Sequence, residues 1–299
     1  MKGKKYTLQK TITSNSPIKN IFTLLPLNDG RLALCKGDDL TIYDLKNNRE
    51  DIIISNVGIK YLYQFKDNKL YYYSLYRFIP SFNLIELTDN NKYIDRTDFL
   101  PKNIKAILIK EYSNKVMFSL LNEPSIDTYT KINGKYQLIS RFKTKYRNFI
   151  TLRGGLMALS TEYVLRVYNI NTLKQNKNSF RSSKEIKAIA FFSESYLLMA
   201  SKDELAVFDY TNFKIIKSIS TGYDIFKIIV IKDKVLIGES DEKNNKSRFT
   251  TYKIDSKNNL NIKRLTVNDS PHKTSAFKIV QCNDGTIVTH QHECMKIWK

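Results

Sequence analysis

Four stretches of this sequence carry residue types that can do chemistry. His290, His292 and Cys294 form an H-x-H-x-C run. On one extended strand, residues at i, i+2 and i+4 share a face, so these three would present soft metal ligands side by side. Tyr76-Arg77-Phe78-Ile79-Pro80-Ser81-Phe82 mixes aromatic rings with a guanidinium, the composition of binding hot spots. Arg141-Phe142-Lys143-Thr144-Lys145-Tyr146-Arg147 and the segment from Arg181 to Lys184 are basic and suit an acidic or phosphorylated peptide, or an RNA backbone. Leu152-Arg153-Gly154-Gly155 places one arginine beside a glycine pair, which reads as a tight turn. No Ser, His and acid arrangement has the local context of a nucleophile. Gly134, Gly222 and Gly238 are isolated, so no glycine-rich phosphate cradle is present. No cofactor is implied.

The elements that position these residues are set by a rhythm. Tyr43, Ile85, Tyr129, Tyr168, Phe208, Tyr252 and Trp298 recur at steps of 39 to 46 residues. A period of about 40–45 residues is that of a four-stranded propeller blade. The first unit shows the grammar: Asn20–Leu27 reads as a buried first strand, Asn28-Asp29-Gly30 as a turn, and Arg31–Lys36 as a second strand. Gly37-Asp38-Asp39 turns again, Leu40–Leu45 is the third strand and carries Tyr43, and Asp51–Ile54 begins the fourth. The first turn recurs at Asp67-Asn68, Ser113-Asn114, Gly154-Gly155, Glu194-Ser195, Asp233-Lys234 and Asp284-Gly285. No stretch sustains a 3.6-residue apolar period with caps. The last unit stops after its third strand, and Tyr6–Ile12 alternates as a strand without a unit of its own. Pairing the two completes a seventh blade and removes an open edge.

These units resemble WD40 repeats. Leu27-Asn28-Asp29-Gly30-Arg31-Leu32-Ala33-Leu34 followed by Leu40-Thr41-Ile42-Tyr43-Asp44-Leu45 is similar to one repeat, with Tyr-Asp in place of Trp-Asp. Phe208-Asp209 and Met295-Lys296-Ile297-Trp298 are similar. The Gly-His dipeptide of that family is missing throughout, and the Asp of the closing dipeptide stands only at Asp44 and Asp209. The fold implied is an all-β, seven-bladed β-propeller, one domain over 1–299, closed by strand 6–12 against strand 295–298. The ring residues are expected to pack between blades.

Aligned on the repeat, Gln291–Cys294 falls on a turn, which bends the H-x-H-x-C run and favours no metal site. The long turn from Glu239 to Arg248 holds no apolar residue and reads as a mobile insertion. In an up-and-down blade, the second turn and the connection to the next blade emerge on one face. The Tyr76–Phe82 turn and the Arg141–Arg147 connection therefore share a face. Partner-binding candidates are Tyr76, Arg77, Phe78, Phe82, Lys143, Lys145 and Arg147. For Phe78 and Phe82 a second reading stands beside this one, that they extend their strands and bury against blade three.

The chain has 299 residues, 49 Lys and Arg against 29 Asp and Glu, and a formal charge of +20. Only eleven of the cations are Arg, whereas phosphate and base readers lean on that planar fork. A Lys-rich solvated surface is thus the plainer account of the charge. The start lacks the apolar run of a secretory signal, no apolar stretch reaches membrane length, and three Cys form no disulfide framework. The expectation is a cytoplasmic protein, the nucleus also admitted, with no membrane partner and no oligomeric state implied. Its function reads as a non-enzymatic scaffold or adaptor for a protein or peptide partner, acidic or phosphorylated. The alternatives are an RNA- or ribonucleoprotein-associated basic propeller, and a propeller hydrolase.

Overall fold

A computed structural model describes the chain except residues 1–5, 14–22, 37, 77–78, 89–91, 101–105, 121–124, 134, 144–148, 173, 176–178, 232–233, 242, 245, 256–259, 271–277 and 292–293. Its strands form seven four-stranded antiparallel sheets, the blades of a seven-bladed β-propeller. Blade one comprises Leu24–Pro26, Leu32–Lys36, Asp39–Asp44 and Arg49–Ile54. Blade two follows with Ile59–Gln64, Lys69–Tyr76, Ile79–Leu87 and Tyr93–Asp95, and blade three with Ala106–Tyr112, Lys115–Leu120, Ser125–Ile132 and Lys135–Lys143. Blade four is Phe149–Arg153, Leu156–Ser160, Val164–Asn169 and Phe180–Arg181. Blade five is Ile186–Phe191, Tyr196–Ser201, Glu204–Asp209 and Lys214–Ser220. Blade six is Asp224–Ile231, Lys234–Asp241, Lys246–Asp255 and Asn261–Ser270.

Blade seven takes Lys278–Gln281, Ile287–Gln291 and Cys294–Trp298 from the end of the chain and Leu8–Thr13 from its start. The first and last strands run antiparallel, with Ile12 opposite Met295 and Leu8 opposite Trp298. The ladder begins at Leu8 rather than Tyr6, because the Tyr6 ring instead packs edge-on to Phe249, 5.8 Å between centroids.

Two compact units divide the blades. Blades one to three, with the rest of blade seven from Val280 onward, make up Leu8–Thr144 and Val280–Lys299; blades four to six lie in Met1–Thr7 and Lys145–Ile279. Within each unit the apolar clusters lie between consecutive blades. In the first unit, Tyr43 packs with Val288 and Met295 of blade seven, Ile85 with Ile42 and Ile52 of blade one, and Tyr129 with Tyr71 and Leu84 of blade two. In the second, Phe208 packs with Val167 of blade four and Tyr252 with Leu205 and Val207 of blade five. All seven periodic residues are buried.

The outer strand carries one extra residue at five of those positions. Gln9, Asp51, Ile139, Ile216 and Leu265 are the extra residues where the register shifts, beside the positions opposite Trp298, Tyr43, Tyr129, Phe208 and Tyr252. Each is a β-bulge, which bends its strand and re-aims the extra side chain. A second bulge, in the first strand of blade six, makes Phe226 the extra residue between Ile225 and Lys227, and its ring lies over Gly238. A Cβ built there would sit 2.6 Å from Phe226 Cζ and 3.2 Å from Ile279 Cγ2. Gly238→Ala is therefore expected to lower stability by about 1–3 kcal/mol through overpacking. Urea unfolding should show the loss to be less than additive with Phe226→Leu, since the two side chains compete for one space.

Candidate functional site

Several charged side chains with chemical potential are held inside their own blade. Asp209, at the end of the third strand of blade five, accepts the Thr211 and Asn212 amides at 2.8 and 3.0 Å, the Thr211 hydroxyl at 2.6 Å and Asn212 Nδ2 at 2.7 Å. Asp44 holds Lys46 and Asn47 in the same way. Asn169 takes its place in blade four, accepting the amides of Asn171 and Thr172. The Asp of the dipeptide is thus a turn-holder, as short carboxylates and amides are wherever they bond the backbone two residues on. Burial pulls the Asp209 carboxyl up, but the Thr211 and Asn212 bonds outweigh it and bring it to about 2 from 3.8.

The expected insertion between Glu239 and Arg248 is instead a continued ladder. Glu239 lies directly opposite Arg248 in the second and third strands of blade six. Glu239 is 0% exposed and its two oxygens accept Arg248 Nε at 3.1 Å and Nη2 at 3.2 Å. Thr250 donates its hydroxyl to the same carboxylate. Arg248 also donates to the Thr221 carbonyl at 2.8 Å, and its guanidinium stacks 3.6 Å from the centroid of Tyr223. Opposite charges facing each other let a polar sequence stay in a buried strand, where either alone would not. Blade three repeats the device: Arg141 forks onto Asp127, itself 1% exposed, at 2.8 Å through Nε and Nη2.

The candidates lie as follows. Tyr76 ends its strand paired with Ile79, and Arg77 and Phe78 fall outside the described residues. Phe82 is half-buried and stacks on Tyr73, centroids 4.9 Å apart, within the cluster shared by blades two and three. Lys143 is exposed at the end of its strand opposite Ser125, while Lys145 and Arg147 fall outside the described residues. His290 is buried in blade seven and Cys294 opens the next strand, with His292 outside the described residues. Among the described residues no three of His, Cys, Asp and Glu gather to hold a metal ion, and no helix is long and apolar enough to cross a membrane. Gly154 and Gly155 both have positive φ, 54° and 78°, as a two-residue hairpin turn requires.

One cleft was not foreseen. It opens at the other end of the strands from Tyr76–Phe82, where the first turns of blades one and seven meet the third turn of blade one. Its residues lie up to 270 positions apart, from Asp29 to Lys299, so only the closure of blade seven brings them together. Nearby, the first turns are tied blade to blade. Asn283 Nδ2 donates to the Asn28 carbonyl at 3.2 Å, and the Asn28 amide donates to Gln64 Oε1 at 2.8 Å. The Lys66 amide then donates to Glu111 Oε2 at 2.9 Å.

No family profile and no curated protein matches the sequence. Solved structures do match. A chain in the crystal structure of the mitotic checkpoint complex superposes with a TM-score of 0.74 at 9% identity, over 98% of this chain and 94% of that one. The likeness is one of fold, a seven-bladed β-propeller. A streptogramin B lyase structure superposes on the same propeller with a TM-score of 0.66 at 13% identity, over 98% and 97% of the two chains. The fold therefore hosts both an assembly component and an enzyme, and function has to be argued from the side chains.

Two outcomes follow. Arg248→Ala removes the cation facing the buried Glu239 carboxylate and leaves it only the Thr250 hydroxyl, and is expected to cost about 3–5 kcal/mol in urea unfolding; adding Glu239→Gln should recover part of that loss. Asp209 has its carboxyl depressed in the folded state, so its contribution is present above pH 3.8 and is lost as pH falls toward about 2. Unfolding midpoints measured across that window should fall more steeply for the wild type than for Asp209→Asn.

Proposed function

We propose that this propeller is a non-enzymatic scaffold that binds a protein partner through loops. The contact residues of this reading are Tyr76, Arg77, Phe78, Phe82, Lys143, Lys145 and Arg147. The observation that carries it is the engagement of the carboxylates. Asp44, Asp127, Asp209 and Glu239 each hold a turn or a paired strand, which suits a rigid frame more than a proton-transfer site. The likeness to a chain of the mitotic checkpoint complex supports the same reading, since that chain works within an assembly. Aromatic and basic side chains together supply what a partner's hot spot needs.

The test is charge reversal at Lys143, Lys145 and Arg147, each to Glu, followed by crosslinking and affinity capture from the native cell. The expected result is loss of the main partner with an unchanged unfolding midpoint. Undiminished recovery would place the interface elsewhere. Retention on immobilised RNA that weakens steeply with salt would replace the reading with a nucleic-acid one.

A further inference from the structure

The bulge position sets blade one apart. The extra residue there is Asp51, where blades three, five and six carry Ile139, Ile216 and Leu265 and blade seven carries Gln9. An apolar side chain at this place needs no polar partner; a buried carboxylate must find cations. The Asp51 side chain is 3% exposed, with Arg49 Nε at 2.8 Å and Arg31 Nη1 at 3.8 Å. The bulge thus builds the floor of the cleft, whose volume of about 690 Å³ is in the range of small-ligand and side-chain pockets.

Four carboxylates and four cations line the cleft, but the two signs are not equally engaged. Asp29 holds the Arg31 guanidinium and amide. Asp44 holds the amides of its turn, Asp284 holds the amide and hydroxyl of Thr286, and Asp51 holds Arg49. The Lys46 ammonium makes no hydrogen bond or ion pair among the described residues, and Lys299 acts on Asp284 through its field without a hydrogen bond to it. Arg49 bonds Asp51 through Nε, acts on Asp44 through its field and is 62% exposed. What the cleft offers a ligand is therefore cationic.

We infer that this cleft docks an acidic segment of a protein partner, with Lys46, Arg49 and Lys299 receiving its carboxylates. The inference rests on the scaffold reading and adds a second surface, at the other end of the blades from Lys143. A peptide fits better than a nucleic acid. A phosphate backbone carries charge at fixed close spacing and would bring some of it against Asp29, Asp44 and Asp284. A peptide can set its carboxylates on the cations and neutral residues on the aspartates. Charge-assisted bonds to Lys and Arg give such a contact its strength.

The experiment is fluorescence anisotropy of a rhodamine-labelled oligoglutamate peptide titrated with the full chain at low salt. Three proteins are compared: wild type, Lys46→Glu with Lys299→Glu, and the Lys143, Lys145 and Arg147 triple reversal. Binding is expected in the wild type and in the triple variant, and about tenfold or more weaker in the cleft variant. Equal affinity in the cleft variant, or no binding by the wild type, overturns the inference. So does displacement of the peptide by polyuridine at equal charge, which would mark a nucleic-acid site. Should the charge reversal unfold the chain, Lys46→Ala with Lys299→Ala carries the same comparison. The two readings fail separately. A wrong loop surface leaves cellular partner recovery intact in the triple variant, whereas a wrong cleft leaves peptide binding intact in the cleft variant.

Discussion

A blade of this protein is a four-stranded sheet with apolar residues on both faces, and neither face can be left to water. At roughly 25 cal/mol per Å² of apolar surface, one such sheet alone would be far from stable, so each blade is a folded object only beside its neighbours. The clusters within the two units are the direct expression of that constraint. In all five the periodic residue of the third strand faces the preceding blade, as Tyr43 does toward Val288 and Tyr129 toward Leu84. The period of the sequence is therefore the period of a packing contact, and its tolerance of Ile85 among aromatics follows, since the contact asks for bulk more than for a ring.

Burial leaves the blades free to slip unless something polar fixes them, and short side chains do this at the strand ends. Asp44, Asn169 and Asp209 shape the third turn, and Asp29 and Asp284 shape the first. The first turns then reach across to the next blade through Asn283, Asn28, Gln64 and Glu111. Burial pushes the Glu111 carboxyl up, only partly countered by the Lys66 amide, as expected for an acid placed to hold a backbone rather than to meet solvent.

The architecture was legible in the sequence because it rests on local signals repeated seven times: Asp-Gly and Asn turns, alternating strands and one bulky residue per unit. The completion of blade seven by Leu8–Thr13 was legible for the same reason, as the missing strand of one unit and the surplus strand before another. What sequence reading missed are pairings that cross strands. Glu239 to Arg248 reads as ten polar residues in a row, and nothing local says that its two ends meet and neutralise each other. Arg141 reads as part of a basic run, yet its fork belongs to Asp127. The cleft was the least legible, because Asp29 and Lys299 become neighbours only through ring closure. Aligning the units on the bulge, where Asp51 replaces an apolar or amide residue, is the one signal that could have pointed to it.

The five bulges also bear on how the chain behaves in company. Outer strands end each sheet with a row of unpaired amides and carbonyls, and here several also expose apolar residues: Leu138 and Ile139 in blade three, Ile215 and Ile216 in blade five. A straight strand of that composition is a template for adding another chain's strand, and repetition would multiply the hazard. One extra residue per outer strand breaks the regular spacing that such templating needs and twists the edge away. The irregularity opposite five of the seven periodic residues therefore serves solubility: the same rhythm that builds the propeller places an interruption where those edges would otherwise aggregate.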